Sequence, residues 1–165
     1  MHTKIDLKLK SRKTTGWSMH SLEFENDKSV ITTVIRGKLA NVQTKRGRKK
    51  RLLWQQQISK EIKTKRIAPR NKNSDYVISL GMKFSASHPN QKQPIDVDNF
   101  IKPIFAGIAA GLFDNNEEVP STLEKFKDFD DSHFRYLYVE RLDNPQNEDG
   151  VAIVISEKPC HPYKM

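Results

Sequence analysis

The sequence predicts one α+β domain in which a mixed β-sheet packs against two main helices. Three observations support this prediction. The chain has 165 residues, the size of one ordinary domain. Stretches with the apolar alternation of strands are interspersed with stretches of helical spacing, and two strand-like segments follow the second helix. We expect a basic, mobile arm over 1–20, the domain over 21–158 and a tail over 159–165.

Four segments have the composition of β-strands. Segment 29–35 is rich in β-branched residues, and segment 76–84 has apolar side chains at alternate positions. Segments 133–142 and 151–155 are strand-like and separated by a polar turn, which predicts a hairpin with a long loop. Segments 36–51, 85–94 and 113–131 are polar or charged, and we expect them to be irregular.

Two segments have the apolar spacing of helices. Segment 52–65 places apolar residues at 54, 58 and 62 on one face. A second helix is predicted by an apolar stripe made of Ile101, Ile104, Phe105, Ile108, Ala109 and Leu112. Because proline is tolerated only near a helix start, Pro103 predicts that this helix begins close to Asp98 or Asn99, the alternative being a kink.

Composition narrows the class of partner. Lys and Arg number 29 against 20 Asp and Glu, a formal net charge of +9, which favours a polyanion such as nucleic acid. The single cysteine, Cys160, excludes an intrachain disulfide and a cysteine-rich metal site. No apolar run approaches the ~20 residues of a membrane span, and the N-terminus is unlike a secretory signal. We therefore expect a cytoplasmic protein with no membrane partner.

The most informative segment is 96–102, DVDNFIK, where a loop meets the second helix. Asp96 and Asp98 are two residues apart and can converge on a hard cation such as Mg²⁺. Lys102, four residues past Asp98, lies on the same helical face and can contact a phosphate. The alternative is purely structural, because Asp98 is a good N-cap and can form an exposed pair with Lys102.

A family resemblance favours the catalytic alternative. DVDNFIK resembles the D-x-D-N-x-x-K signature of the RusA-like Holliday junction resolvases, in which it also follows a strand and opens an apolar helix. In that family a Gly–hydrophobic pair ends the helix, and an Asp-Asp segment and a hairpin follow. Gly111-Leu112 and Asp130-Asp131 match those features, and the resemblance is specific over roughly 76–156.

The resemblance implies a RusA-like fold and a specific site. Asp96, Asp98 and Asp131 would hold Mg²⁺, or Mn²⁺ in its place, and Lys102 would stabilise charge at the phosphate. Metal-activated water would then cleave branched DNA, most often four-way junctions, by paired nicks made by a homodimer. Such enzymes serve DNA recombination and repair and are often bacterial or phage-encoded.

The third carboxylate has alternative assignments. About sixteen residues, 114–129, separate the helix end from the Asp-Asp pair here, whereas the two are nearly contiguous in the family. Asp131 is preferred because that register also carries the strand 133–142. Asp114 and Glu117 are the runners-up.

A basic run lies before the first helix. Six cations in seven residues are predicted to contact DNA: Lys45, Arg46, Arg48, Lys49, Lys50 and Arg51. The alternative is a merely solvated run. The Ser/Pro-x-Asn element that the family has in this region is missing here. Among the aromatic residues, Trp54, Tyr136 and Tyr138 are expected in the core, whereas Trp17 is the candidate for stacking on unpaired bases.

Two other functions stay open at this point. The protein is either a nuclease, or a catalytically inactive nucleic-acid-binding protein, or a protein that docks a basic partner through its acidic segment 113–131.

Overall fold

The computed structural model of the protein describes residues 6–38, 47–86, 98–129 and 134–159, with the backbone alone at 98 and 99. Within these ranges the elements are β1 (Leu7–Thr14), β2 (Trp17–Phe24), β3 (Ile31–Arg36), α1 (Arg48–Lys65), β4 (Asp75–Lys83), α2 (Asp98–Phe113), α3 (Leu123–Phe126), β5 (Phe134–Arg141) and β6 (Gly150–Lys158). The predicted α+β class is confirmed. None of the helices in the described ranges has the length and apolar character needed to cross a membrane.

The main sheet has four strands in the order β3-β6-β4-β5. β6 is antiparallel to both β3 and β4, whereas β4 and β5 are parallel, so the sheet is mixed, as predicted. The prediction that the last two strands form a hairpin is wrong, because β4 lies between them. β4 and β6 are buried along nearly their whole length, whereas β5 alternates between half-buried and exposed residues. The two most apolar strands therefore take the central positions.

The two long helices cover one face of this sheet and run in the same direction. α1 connects β3 to β4 and α2 connects β4 to β5, and each is a crossover between parallel strands. A methyl group on Gly107 would lie 3.0 Å from Cβ of Ile58, and one on Gly111 would lie 2.7 Å from Cβ of Ile62. Because the contacts advance together along both helices, α1 and α2 are parallel and very closely packed.

Helix α1 begins four residues earlier than predicted, at Arg48 rather than Leu52. The sequence 48–51, RKKR, was predicted to be the end of a loop because of its charge, but Arg and Lys are good helix formers. The predicted apolar face is confirmed, since Trp54, Ile58 and Ile62 are buried. Helix α2 begins at Asp98, as predicted, with Pro103 in its second turn.

The N-terminal segment is not a simple arm. Over the described part of 1–20 it forms β1 and the first half of β2. The two strands pair from Leu7–Phe24 to Thr14–Trp17 and cover the sheet face opposite the helices. Trp17 is 2% exposed and packs with Val154 and its neighbours in that layer, so it is not available to stack on bases and that prediction is wrong. The fold thus has three layers: hairpin, sheet and helices.

Candidate functional site

Three strands of the sheet end at the same edge. β3, β4 and β5 run in one direction, and the register places both Arg36 and Lys83 opposite Gly150, and Arg141 opposite Met82. We call this the carboxyl edge, and the opposite edge, where β4 and β5 begin, the amino edge. In open sheets with parallel strands, ligands bind outside the carboxyl ends of the strands.

Both long helices begin at the carboxyl edge. The ring of Phe84, just after β4, lies 5.2 Å from the ring of Phe100 in the first turn of α2, two residues past Asp98. Nε1 of Trp54, in the second turn of α1, donates to the carbonyl of Lys38, just after β3. The starts of α1 and α2 therefore lie side by side at this edge.

The DVDNFIK motif falls at the start of α2. Asp98 is the first helical residue, and Lys102, one turn later, is exposed. Asp96 and the side chain of Asp98 lie outside what the structure describes, and their metal coordination stays a prediction. Among the described side chains, no three His, Cys, Asp or Glu residues group in a way that could hold a metal ion.

Asp131 belongs to a segment outside the described residues, three positions before Phe134. Phe134 begins β5 at the amino edge, with its ring 6.2 Å from those of Tyr76 and Phe113. Helix α2 has 16 residues, so it is about 24 Å long at ~1.5 Å per residue. The described chain therefore resumes, at Phe134, near the end of α2 that is far from Asp98.

Asp114, a runner-up for the third carboxylate, lies at the opposite end of α2 from Asp98. It directly follows α2 at the amino edge, is 8% exposed, and accepts hydrogen bonds from Nζ of Lys63 at 2.7 Å and from the N–H of Asn116 at 3.0 Å. Burial alone raises the pKa of Asp114, but these hydrogen bonds and nearby cations outweigh it and hold the pKa below its usual value. Glu117, the other runner-up, is an exposed residue three positions further along.

Sequence reasoning missed the group that holds Asp114 in place. Lys63 and Arg66, at the end of α1, are both buried, and we call them the Lys63–Arg66 latch. Lys63 donates to the carboxylate of Asp114. The two side chains also donate to the backbone carbonyls of Gly111, Leu112, Asp114, Asn116 and Glu118. The latch satisfies the last carbonyls of α2, which have no partner within the helix, and fixes the ends of α1 and α2 together. The signal was available, because Lys63 and Arg66 continue the buried face of Ser59 and Ile62.

The predicted DNA-binding cations lie at the start of α1 or just before it. They are Lys45, Arg46, Arg48, Lys49, Lys50 and Arg51. The first two lie outside the described residues. The other four form the first turn of α1, where the first three are exposed and the last is half-buried. These four are therefore at the same edge as the start of α2.

No protein-family model, no curated protein and no solved structure matches the chain. The DVDNFIK motif and the described residues around the start of α2 are therefore the basis for a proposed function.

Proposed function

We propose that the protein is a metal-dependent endonuclease that cleaves branched DNA, similar to the RusA-like Holliday junction resolvases, and acts in DNA recombination and repair. The supporting observation is that α1 and α2 both begin at the carboxyl edge, so the DVDNFIK motif and the basic first turn of α1 are neighbours. A phosphodiester bound at the start of α2 is then flanked by cations. The proposed location is the cytoplasm, in a bacterial or phage context.

The motif residues have separate roles in this proposal. Asp96 and Asp98, with Asp131, bind Mg²⁺ or Mn²⁺, and their carboxylate oxygens fit a hard divalent cation. When bound, the cation lowers the pKa of water and neutralises charge on the phosphate. Lys102 is exposed one turn past the helix start, where its ammonium group binds and orients the phosphate and stabilises the charge that develops during cleavage.

The proposed enzyme is a homodimer, and β5 is the proposed contact. β5 is the edge strand of the sheet, and in the described part of the chain it pairs with β4 alone. Its Leu137 is 44% exposed, and an edge strand with an exposed apolar side chain and unpaired backbone groups can pair with another strand. Antiparallel pairing of two β5 strands about a two-fold axis sets the amino edge of one copy beside the carboxyl edge of the other. The described start of β5, three positions after Asp131 in the sequence, then lies beside the end of β5 of the other copy.

The first experiment measures cleavage of a labelled synthetic four-way junction at low salt with Mg²⁺, with linear duplex and EDTA as controls. Asp98→Asn is the test variant. Asp128→Asn is the matched control, because Asp128 is an exposed carboxylate after α3. We expect symmetric nicks in the junction that are lost with EDTA and in Asp98→Asn and are retained in Asp128→Asn.

The other outcomes separate the alternatives. Tight junction binding without cleavage in Mg²⁺ or Mn²⁺ would identify an inactive nucleic-acid-binding protein. Absence of DNA binding at low salt would instead favour a protein that docks its partner through the acidic segment 113–131.

A mixing experiment tests the proposed dimer. Asp98→Asn and Asp131→Asn are each expected to be inactive alone. If the two carboxylates come from different copies, a mixed dimer keeps one intact site, so co-refolding the two variants restores part of the cleavage. If both come from the same copy, the mixture stays inactive. Leu137→Lys places a charge at the proposed contact on β5. The molar mass measured by light scattering should then shift from that of a dimer toward that of a monomer.

A further inference from the structure

Three cations at the carboxyl edge rest on aromatic rings. The guanidinium carbon of Arg36 lies 5.6 Å from the centre of the Trp17 ring, and Nζ of Lys83 lies 4.3 Å from the same ring. The guanidinium carbon of Arg141 lies 5.6 Å from the centre of the Phe84 ring. Contacts of this kind hold a long side chain in place while it keeps its charge.

Arg36 and Arg141 differ from Lys83 in exposure. Lys83 is 6% exposed and pairs with Glu148 at 3.3 Å, so its charge is balanced within the fold. Arg36 and Arg141 are both exposed. Arg36 also donates to the carbonyl of Thr15, which ties it to the hairpin turn.

Two carboxylates just before β6, near this edge, are engaged within the fold. Glu148 pairs with Lys83, and Asp149 accepts from the N–H and hydroxyl of Ser85. Further exposed cations lie alongside, including Lys38 just after β3 and Lys102 on α2. Among the described side chains at this edge, the exposed cations outnumber exposed carboxylates such as Asp143, and this excess of positive charge favours a polyanion.

The two arginines lie toward opposite sides of the carboxyl edge. They end β3 and β5, the outer strands of the four-stranded order. Strands lie about 4.8 Å apart, so the backbones of these strand ends are roughly 14 Å apart. Arg36 packs on Trp17 in the hairpin layer, whereas Arg141 packs on Phe84 on the helix side of the sheet. The Phe84 ring, against which Arg141 packs, also contacts Phe100 in the first turn of α2. Arg141 is therefore next to the proposed site.

We propose that Arg36 and Arg141 contact the sugar–phosphate backbone of a DNA arm that leaves the site at the start of α2. This inference rests on the proposed function and extends the DNA surface from the basic first turn of α1 across the end of the sheet to the hairpin turn. The two arginines are phosphate-contacting residues that position the arm and take no part in bond cleavage.

The test measures binding of a labelled four-way junction by fluorescence anisotropy over a range of salt concentrations, in EDTA and with Asp98→Asn as the background. Arg36→Gln/Arg141→Gln removes both charges and keeps much of each side chain on its ring. Lys72→Gln/Lys127→Gln is the matched control, because it removes two charges from exposed residues outside the carboxyl edge. Thermal midpoints verify that all proteins are folded.

We expect the slope of log affinity against log salt to fall by about 0.9 for each lost contact, or about 1.8 for the double variant. The control pair should leave the slope unchanged. Equal slopes in the two double variants would overturn the inference even if the protein cleaves junctions. Conversely, a reduced slope in a protein that never cleaves DNA would support this surface and reject the nuclease. Absence of DNA binding at low salt would reject both.

Discussion

The two ends of the α1–α2 pair carry the same kinds of side chain and use them differently. At the amino edge, Lys63 and Arg66 are 7% and 6% exposed and are bonded to Asp114 and to helix-end carbonyls. At the carboxyl edge, Arg48 and Lys102 are exposed. Burying a cation is costly unless it is paired and hydrogen-bonded, so the amino edge uses its cations to hold the fold. Arg48 and Lys102, at the other edge, remain accessible to solvent.

The largest expected effect is on the cleavage rate, and it distinguishes Asp98, at the start of α2, from Asp114, just after its end. Asp98→Asn should lower junction cleavage by at least about a hundredfold, because a metal ion stabilises the transition state by several kcal/mol, and should leave the thermal midpoint nearly unchanged. Asp114→Asn should lower the midpoint and keep its cleavage rate when assayed well below that midpoint. Equal effects of both variants on cleavage would contradict the division between the two ends.

The next effect tests the latch. Lys63→Met leaves Asp114 buried without its cation, and removing one partner of a buried pair costs about 3–5 kcal/mol. The free energy of unfolding, measured with urea, should fall by that amount. Lys60→Met is the control, because Lys60 is exposed on the same helix and should change stability by less than about 0.5 kcal/mol. A similar small loss for both variants would show that the latch contributes little.

Close packing between the helices predicts a smaller effect. In Gly111→Ala the new methyl would lie 2.7 Å from Cβ of Ile62 and 3.2 Å from the carbonyl of Ser59. Overpacking of this kind costs roughly 1–3 kcal/mol, although alanine is the better helix former by about 1 kcal/mol. We expect a net loss of stability in urea unfolding. Ala106→Gly in the same helix measures the propensity effect separately, and a gain in stability for Gly111→Ala would mean that the helices can move apart.

The smallest effect is a dependence on pH. The pKa of Asp114 is below its usual value in the folded protein. Its contribution to stability is therefore complete above the unfolded pKa of about 3.9 and is lost as pH falls through the lower folded pKa. The difference in unfolding free energy between the wild type and Lys63→Met should shrink as pH falls from about 7 to about 3. A difference that stays constant over this range would exclude the ion pair as the source.

Periodicity located the elements more reliably than it located their partners. The apolar stripes predicted α2 and the buried face of α1, and the motif at 96–102 was correctly expected to lead into a helix. Local patterns carry no information on which strands pair, so the insertion of β6 between β3 and β4 could not be read from them. The N-terminal strands were missed because β1 carries four basic residues, none of them buried, and β2 supplies most of the buried face. Asp114 was retained as a candidate metal ligand because its partner, Lys63, is 51 residues away in the sequence, so that no local pattern reveals the pair.

The parallel packing of α1 and α2 has an electrostatic consequence. Each α-helix behaves as a dipole with roughly half a positive charge at its N-terminus. In antiparallel neighbours the positive end of each helix would lie beside the negative end of the other, and the two partial charges would largely cancel. Here both positive ends lie at the carboxyl edge, where α2 starts at Asp98. The backbone itself therefore favours a negatively charged group at this edge, whether an ionised aspartate or a phosphate, and does so independently of any lysine or arginine.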